Sequence, residues 1–125
     1  MELSDSILIE AMPQYLDDQS DPEDERFVFS YRIVIINNAR QPVTLRTRHW
    51  FITNGNGDVQ EVKGEGVIGE QPTIQPCEEY EYTSGAVLST AVGSMRGYYV
   101  MEAADGTLFH ASIPVFTLAS THALN

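Results

Sequence analysis

The chain has 125 residues, a length that suits one domain able to bury about 65–70% of its unfolded surface in a single core. With 42% hydrophobic and 20% charged residues it carries the material for that core, which excludes a disordered chain. Eighteen acids against seven bases leave a net charge of −11, which repels nucleic-acid phosphates and anionic lipid heads and leaves basic protein partners or weak divalent-cation association as compatible.

Cys77 is the one cysteine, so no internal disulfide or tetrathiolate zinc site can form, and a reducing compartment is expected. The start, Met1-Glu2-Leu3-Ser4-Asp5, lacks the basic head and apolar run of an export signal. No apolar stretch approaches the ~20 residues of a membrane-spanning helix, so the expectation is a cytoplasmic protein without membrane insertion.

In chain order, the run Ile7-Leu8-Ile9-Glu10-Ala11-Met12 predicts a first edge strand, broken or bulged at Pro13. Asp17, Asp18, Asp21, Glu23, Asp24 and Glu25 follow without the glycine and spacing of a calcium loop, and are read as a solvated acidic segment. From 27 to 35 the odd positions are Phe, Phe, Tyr, Ile and Ile, with Ser30 and Arg32 between them, the period-two pattern of a half-buried strand. Turn formers at 37–42 and β-branched or aromatic residues at 43–53 predict a hairpin with a second antiparallel strand.

Asn54-Gly55-Asn56-Gly57-Asp58 predicts a tight turn into a strand at 59–63. Pro72 and Pro76 bracket a short piece, and Glu79-Tyr80-Glu81-Tyr82 alternates so that both rings share one face. Residues 86–95 offer at most one helical turn. Asp105-Gly106 between the runs 97–103 and 107–116 is a second hairpin signal, and Pro114 makes its strand an edge or marks a strand end. Seven or eight short antiparallel strands without helical crossovers define an all-β, immunoglobulin/fibronectin-III-like sandwich, with residues 1–125 as a single domain. Edge strands near Pro13 and Pro114 leave a homodimer open.

Gly64-Glu65-Gly66-Val67-Ile68-Gly69 matches the dinucleotide fingerprint, but Pro72 and Pro76 prevent the helix whose N-terminus would hold a phosphate. Gly64, Gly66 and Gly69 are therefore read as turn formers, with a nest of amides for pyrophosphate as the alternative. In the expected hairpin, Arg32 lies opposite Arg46 or Arg48, a basic stripe needing acidic neighbours, an acidic partner or an anion. His49 and Trp50 point to opposite faces; Trp50 belongs either to the core or, beside Arg46 and Arg48, to an interaction surface.

His49, His110 and His122 are too dispersed for a metal site. Neither Ser84 nor Ser94 has a nucleophile-elbow context, and Cys77 follows Pro76 on expected surface, so no catalytic residue and no cofactor are assigned.

The segments 31–37 (YRIVIIN), Arg48-His49-Trp50, 64–72 (GEGVIGEQP) and Tyr82-Thr83-Ser84-Gly85 occur in order, followed by Gly93-Ser94-Met95, Gly97-Tyr98-Tyr99 and 113–118 (IPVFTL). Together they resemble the bacterial ApaG family over nearly the whole chain. The departures are Cys77, where the family pattern has glycine, and Ala91, where it has proline. The resemblance implies an immunoglobulin- or fibronectin-III-like sandwich and a protein-interaction module, since similar domains occur in eukaryotic F-box and polymerase-delta-interacting proteins. It also implies an association with cobalt resistance and magnesium efflux, which a chain without a membrane span can serve only as a regulator.

Overall fold

The computed structural model describes residues 3–121, and His122 lies outside them. Eight strands form: β1 (Ile7–Tyr15), β2 (Phe27–Asn37), β3 (Val43–Asn54), β4 (Val59–Glu65), β5 (Thr73–Ile74), β6 (Glu79–Leu88), β7 (Val92–Ala103) and β8 (Leu108–Ala119). All pairings are antiparallel. One sheet has the order β1-β2-β6 and the other β4-β3-β7-β8, with β5 beside the start of β3. This is the expected sandwich.

The strand at 27–35 does not form a hairpin with the one that follows. β2 pairs with β1 and β6, whereas β3 pairs with β4, β5 and β7 in the opposite sheet. Alternation tells which side chains of a strand face inward, but not which strand lies beside it.

The crossing between sheets is held by Asn37, which is fully buried. Its Nδ2 donates to the carbonyls of Gln41 and Ile74, both at 2.9 Å, and its Oδ1 accepts from the amide of Ala39 at 2.8 Å. A buried amide is tolerated because its polar atoms are partnered.

The core lies between the two inner faces. Phe29, Tyr31, Ile33 and Ile35 of β2 meet Val43, Leu45 and Trp50 of β3, Tyr99 and Met101 of β7, and Ile113 and Leu118 of β8. Trp50 stands edge-on to Tyr31, Tyr99 and Phe116, with ring centroids 5.4, 6.4 and 6.0 Å away. Such edge-to-face contacts add to the area each ring buries.

β1 packs alongside β8 and closes one side of the sandwich. Both are edge strands, as Pro13 and Pro114 require. β1 runs through Pro13 in continuous register with β2, so the expected break is absent. Around Pro114 the pairing shifts, since Ile113 opposes Gly97 but Phe116 opposes Met95. Residues 86–95 form the end of β6, a turn and the start of β7, not a helical turn.

Candidate functional site

The glycine segment continues from β4 as a loop. The amide of Gly66 donates to the carbonyl of Arg46 at 2.8 Å, and Val67 and Glu70 exchange two backbone bonds of 2.8 and 2.9 Å. These close a two-residue turn over Ile68 and Gly69, whose φ values of 43° and 80° are both positive, as tight hairpin turns demand. Gly66 also has φ of 61°, and a Cβ there would lie 2.1 Å from the carbonyl oxygen of Glu70. A Cβ on Gly64 would lie 2.7 Å from the guanidinium of Arg48. All three glycines therefore have a conformational or steric cause, and no helix starts at the loop.

The arginines do not converge. Arg32 pairs with Glu81 on the outer face of the three-stranded sheet. On β3 the register shifts between Leu45 and Thr47. Before this bulge the odd residues Val43 and Leu45 are buried, and after it Trp50 is buried. Arg46 consequently faces outward to Glu102 at 3.0 Å and Gln71 at 3.1 Å, while Arg48 shares the inner side with Trp50. Trp50 is 2% exposed and belongs to the core, which overturns its place in an interaction surface. The chain's own acids neutralise Arg32 and Arg46.

Arg48 joins the two motifs that the sequence presents separately. Its Nη1 donates to the carbonyls of Glu65 and Gly66 at 3.0 and 2.9 Å, and among the described residues it makes no ion pair. With Tyr31, Trp50, Val67, Ile68, Tyr82 and Ser84 it lines a cavity of about 170 Å³ on the side of the sandwich away from the β1–β8 seam. Tyr82 and Tyr99 share a hydroxyl–hydroxyl hydrogen bond. Burial pushes the hydroxyls of Tyr31, Tyr82 and Tyr99 above the usual tyrosine value, with the Arg48 charge opposing, so all three stay protonated at neutral pH.

The outer face of the five-stranded sheet carries a second constellation. Phe51 and Tyr98 flank His49 at ring-centroid distances of 4.6 and 4.9 Å, and His110 stacks on Tyr98 at 4.3 Å. The Arg96 guanidinium covers Phe51 at 4.4 Å. His49 Nδ1 bonds the Tyr98 hydroxyl at 2.8 Å, and its Nε2 lies 3.5 Å from Glu61, whose carboxyl is held below the usual range first by Lys63.

Neighbouring positions on β3, β7 and β8 build this row: His49 opposes Tyr98, and Phe51 opposes Arg96. Sequence reasoning missed it because the rings lie on three strands. The available signal was His49 and Phe51 two apart on the face opposite Trp50.

Among the described residues no group of three or more His, Cys, Asp or Glu is placed to hold a metal ion. Cys77 is exposed, in a turn with φ of 67°. No helix among the described residues is long and apolar enough to cross a membrane.

An eight-stranded, two-sheet antiparallel sandwich with a guanidinium-lined cavity between its sheets and a ring-covered outer face is an immunoglobulin/fibronectin-III-like domain. The chain belongs to the ApaG domain family, whose sequence profile matches residues 17–103. It is 53% identical over 119 residues to Protein ApaG of Dechloromonas aromatica (strain RCB), covering 95% of this chain and 94% of that one. It is 52% identical to Protein ApaG of Enterobacter sp. (strain 638), covering 93% of each. The crystal structure of a Bordetella pertussis protein named ApaA superposes with a TM-score of 0.90 at 42% identity, covering 92% of this chain and 94% of that one.

Proposed function

We propose that the chain is a non-catalytic protein-interaction domain of the cytoplasm that engages its partner with the outer face of the five-stranded sheet. The observation that carries this reading is the row Arg96, Phe51, His49, Tyr98 and His110. The outward residues of a sandwich alternate as polar positions, whereas here rings and a guanidinium occupy them, the residue types that anchor interfaces. The net charge of −11 favours a partner with a basic rim. The link to cobalt resistance and magnesium efflux is then regulatory, exerted through that partner.

A photo-crosslinking benzoylphenylalanine placed at Phe51 or Tyr98 in cells is expected to capture a protein that the same group at Gln14, on the opposite sheet, does not. Equal capture at all three positions, or none, sinks the reading. For the captured partner, Phe51→Ala should weaken binding about tenfold or more, the loss typical of a buried aromatic anchor.

A second reading, a nucleotide or pyrophosphate binder using Gly64, Gly66 and Gly69, is favoured by one observation: Arg48, which holds that loop, makes no ion pair among the described residues. Against it stand the carbonyls, not amides, that the loop turns toward Arg48, and the exposed Glu65 and Glu70 on either side. Pyrophosphate at several times its dissociation constant must raise the melting temperature if it binds the folded chain. An unchanged melt at about 10 mM ends this alternative.

A further inference from the structure

The cavity beside Arg48 has the chemistry of a binding site and no structural task that explains it. Its polar lining is one guanidinium and the neutral hydroxyls of Tyr31, Tyr82 and Ser84, and its apolar walls are Trp50, Val67 and Ile68. Of the two half-buried arginines of β3, Arg46 has Glu102 as its counter-charge, whereas Arg48 has only two backbone carbonyls. A half-buried guanidinium whose protein ligands are two neutral carbonyls keeps its charge and its remaining N–H donors available to an anion.

Size and charge restrict what that anion can be. A volume of about 170 Å³ is below the range of sites for whole drug-sized ligands, so a nucleotide does not fit and a group of a few heavy atoms does. The single positive charge balances a monoanion. A phosphate would leave surplus negative charge beside the exposed Glu65 and Glu70, and no second base lines the cavity. A guanidinium is a planar donor fork that suits a carboxylate, and the ring and aliphatic walls suit a short carbon stem.

The entrance is also identifiable. Ile68 lines the cavity yet is 59% exposed, so it stands at the rim. Its φ of 43° is a conformation that β-branched residues avoid, and such strain collects at sites where a side chain must be held in one place.

We propose that this cavity is a binding site for a carboxylate on a short aliphatic stem, gripped by Arg48 and the hydroxyls of Tyr31, Tyr82 and Ser84, with Ile68 at the entrance. The carboxylate comes from a small organic acid or from an acidic side chain of a bound polypeptide. The site lies between the sheets, so it stands or falls independently of the outer-face reading.

Trp50 is the chain's one tryptophan and lines the cavity, so its emission reports occupancy directly. Propionate titrated into the full chain is expected to change Trp50 emission saturably, with a dissociation constant on the order of 10 mM, the range for so small a ligand. Sodium chloride at equal ionic strength should not. Tyr31→Phe keeps the ring and removes one donor, and should weaken propionate about three- to tenfold; Arg48→Gln should weaken it more than tenfold.

Because Arg48 also holds the loop, the Tyr31→Phe result decides if Arg48→Gln unfolds. A short blocked peptide containing glutamate that reproduces the propionate response, with its glutamine counterpart silent, assigns the source to a polypeptide. A response to propionate alone assigns it to a small acid. No saturable change with either probe, a response to inorganic phosphate but not propionate, or unaltered affinity in Tyr31→Phe overturns the proposal.

Discussion

At the scale of single residues, the 64–69 motif separates glycines by what each one does. Gly69 has positive φ but open space around it, whereas Gly66 combines positive φ with a backbone carbonyl that a Cβ would strike. Gly69→Ala should therefore cost about 1 kcal/mol, the conformational penalty alone, and Gly66→Ala about 3 kcal/mol or more. Thermal melts of the two variants check the order, and equal losses would mean that the loop relaxes around either change. The shape-forming role was legible in the sequence because Pro72 and Pro76 forbid a helix after the motif. The turn over Ile68 was not, because a β-branched residue argues against positive φ and only the exchange of bonds between Val67 and Glu70 imposes it.

At the scale of elements, the sequence displays strands better than their neighbours. The alternation at 27–35 correctly buries Phe29, Tyr31, Ile33 and Ile35, and the Asn54–Asp58 and Asp105-Gly106 signals both become hairpin turns. The 38–42 segment instead carries the chain across the sandwich, and the feature that decides this is the burial of Asn37. An asparagine in a turn-like sequence is no signal of burial, since its three partners come from Ala39, Gln41 and distant Ile74.

Asn37→Leu should leave two carbonyls and one amide without their partner and cost about 3 kcal/mol. Its urea midpoint should fall with an unchanged slope. A midpoint within error of the parent would show that those bonds do not hold the crossing. The supposed arginine stripe failed for the same reason as the hairpin: residues placed opposite by periodicity were assigned to one sheet when they belong to two.

At the scale of the whole molecule, three buried tyrosines tie the sandwich to pH. Their hydroxyls ionise less readily in the fold than in the unfolded chain, whose value is near 10.0. Below that pH both states keep the protons and the stabilisation is complete. Above it the unfolded chain releases protons that the fold retains, so stability is lost as pH rises from about 10 toward the folded values. Tyr82 and Tyr99, whose values move furthest, each contribute a slope of about 1.4 kcal/mol per pH unit, about 3 together, and Tyr31 adds to it in the same direction. Urea midpoints should hold between pH 9 and 10 and then fall by pH 11, and Tyr31→Phe should make that fall shallower. A flat profile to pH 12 would mean that the cluster ionises inside the fold.

The bulge after Leu45 has a consequence for the whole inside-out order of the chain. It works as a frameshift in the pleat: one inserted residue decides which half of β3 is read as interior. Deleting Arg46 alone would remove that inserted residue and leave strict alternation from Val43 onward, with Trp50 still turned to the core and His49 still turned outward. The lesion would keep the register of β3 with β7 on both sides and cost the contacts of Arg46 with Glu102 and Gln71, so a single-codon loss there is far less damaging than one elsewhere on the strand, which would invert every residue beyond it.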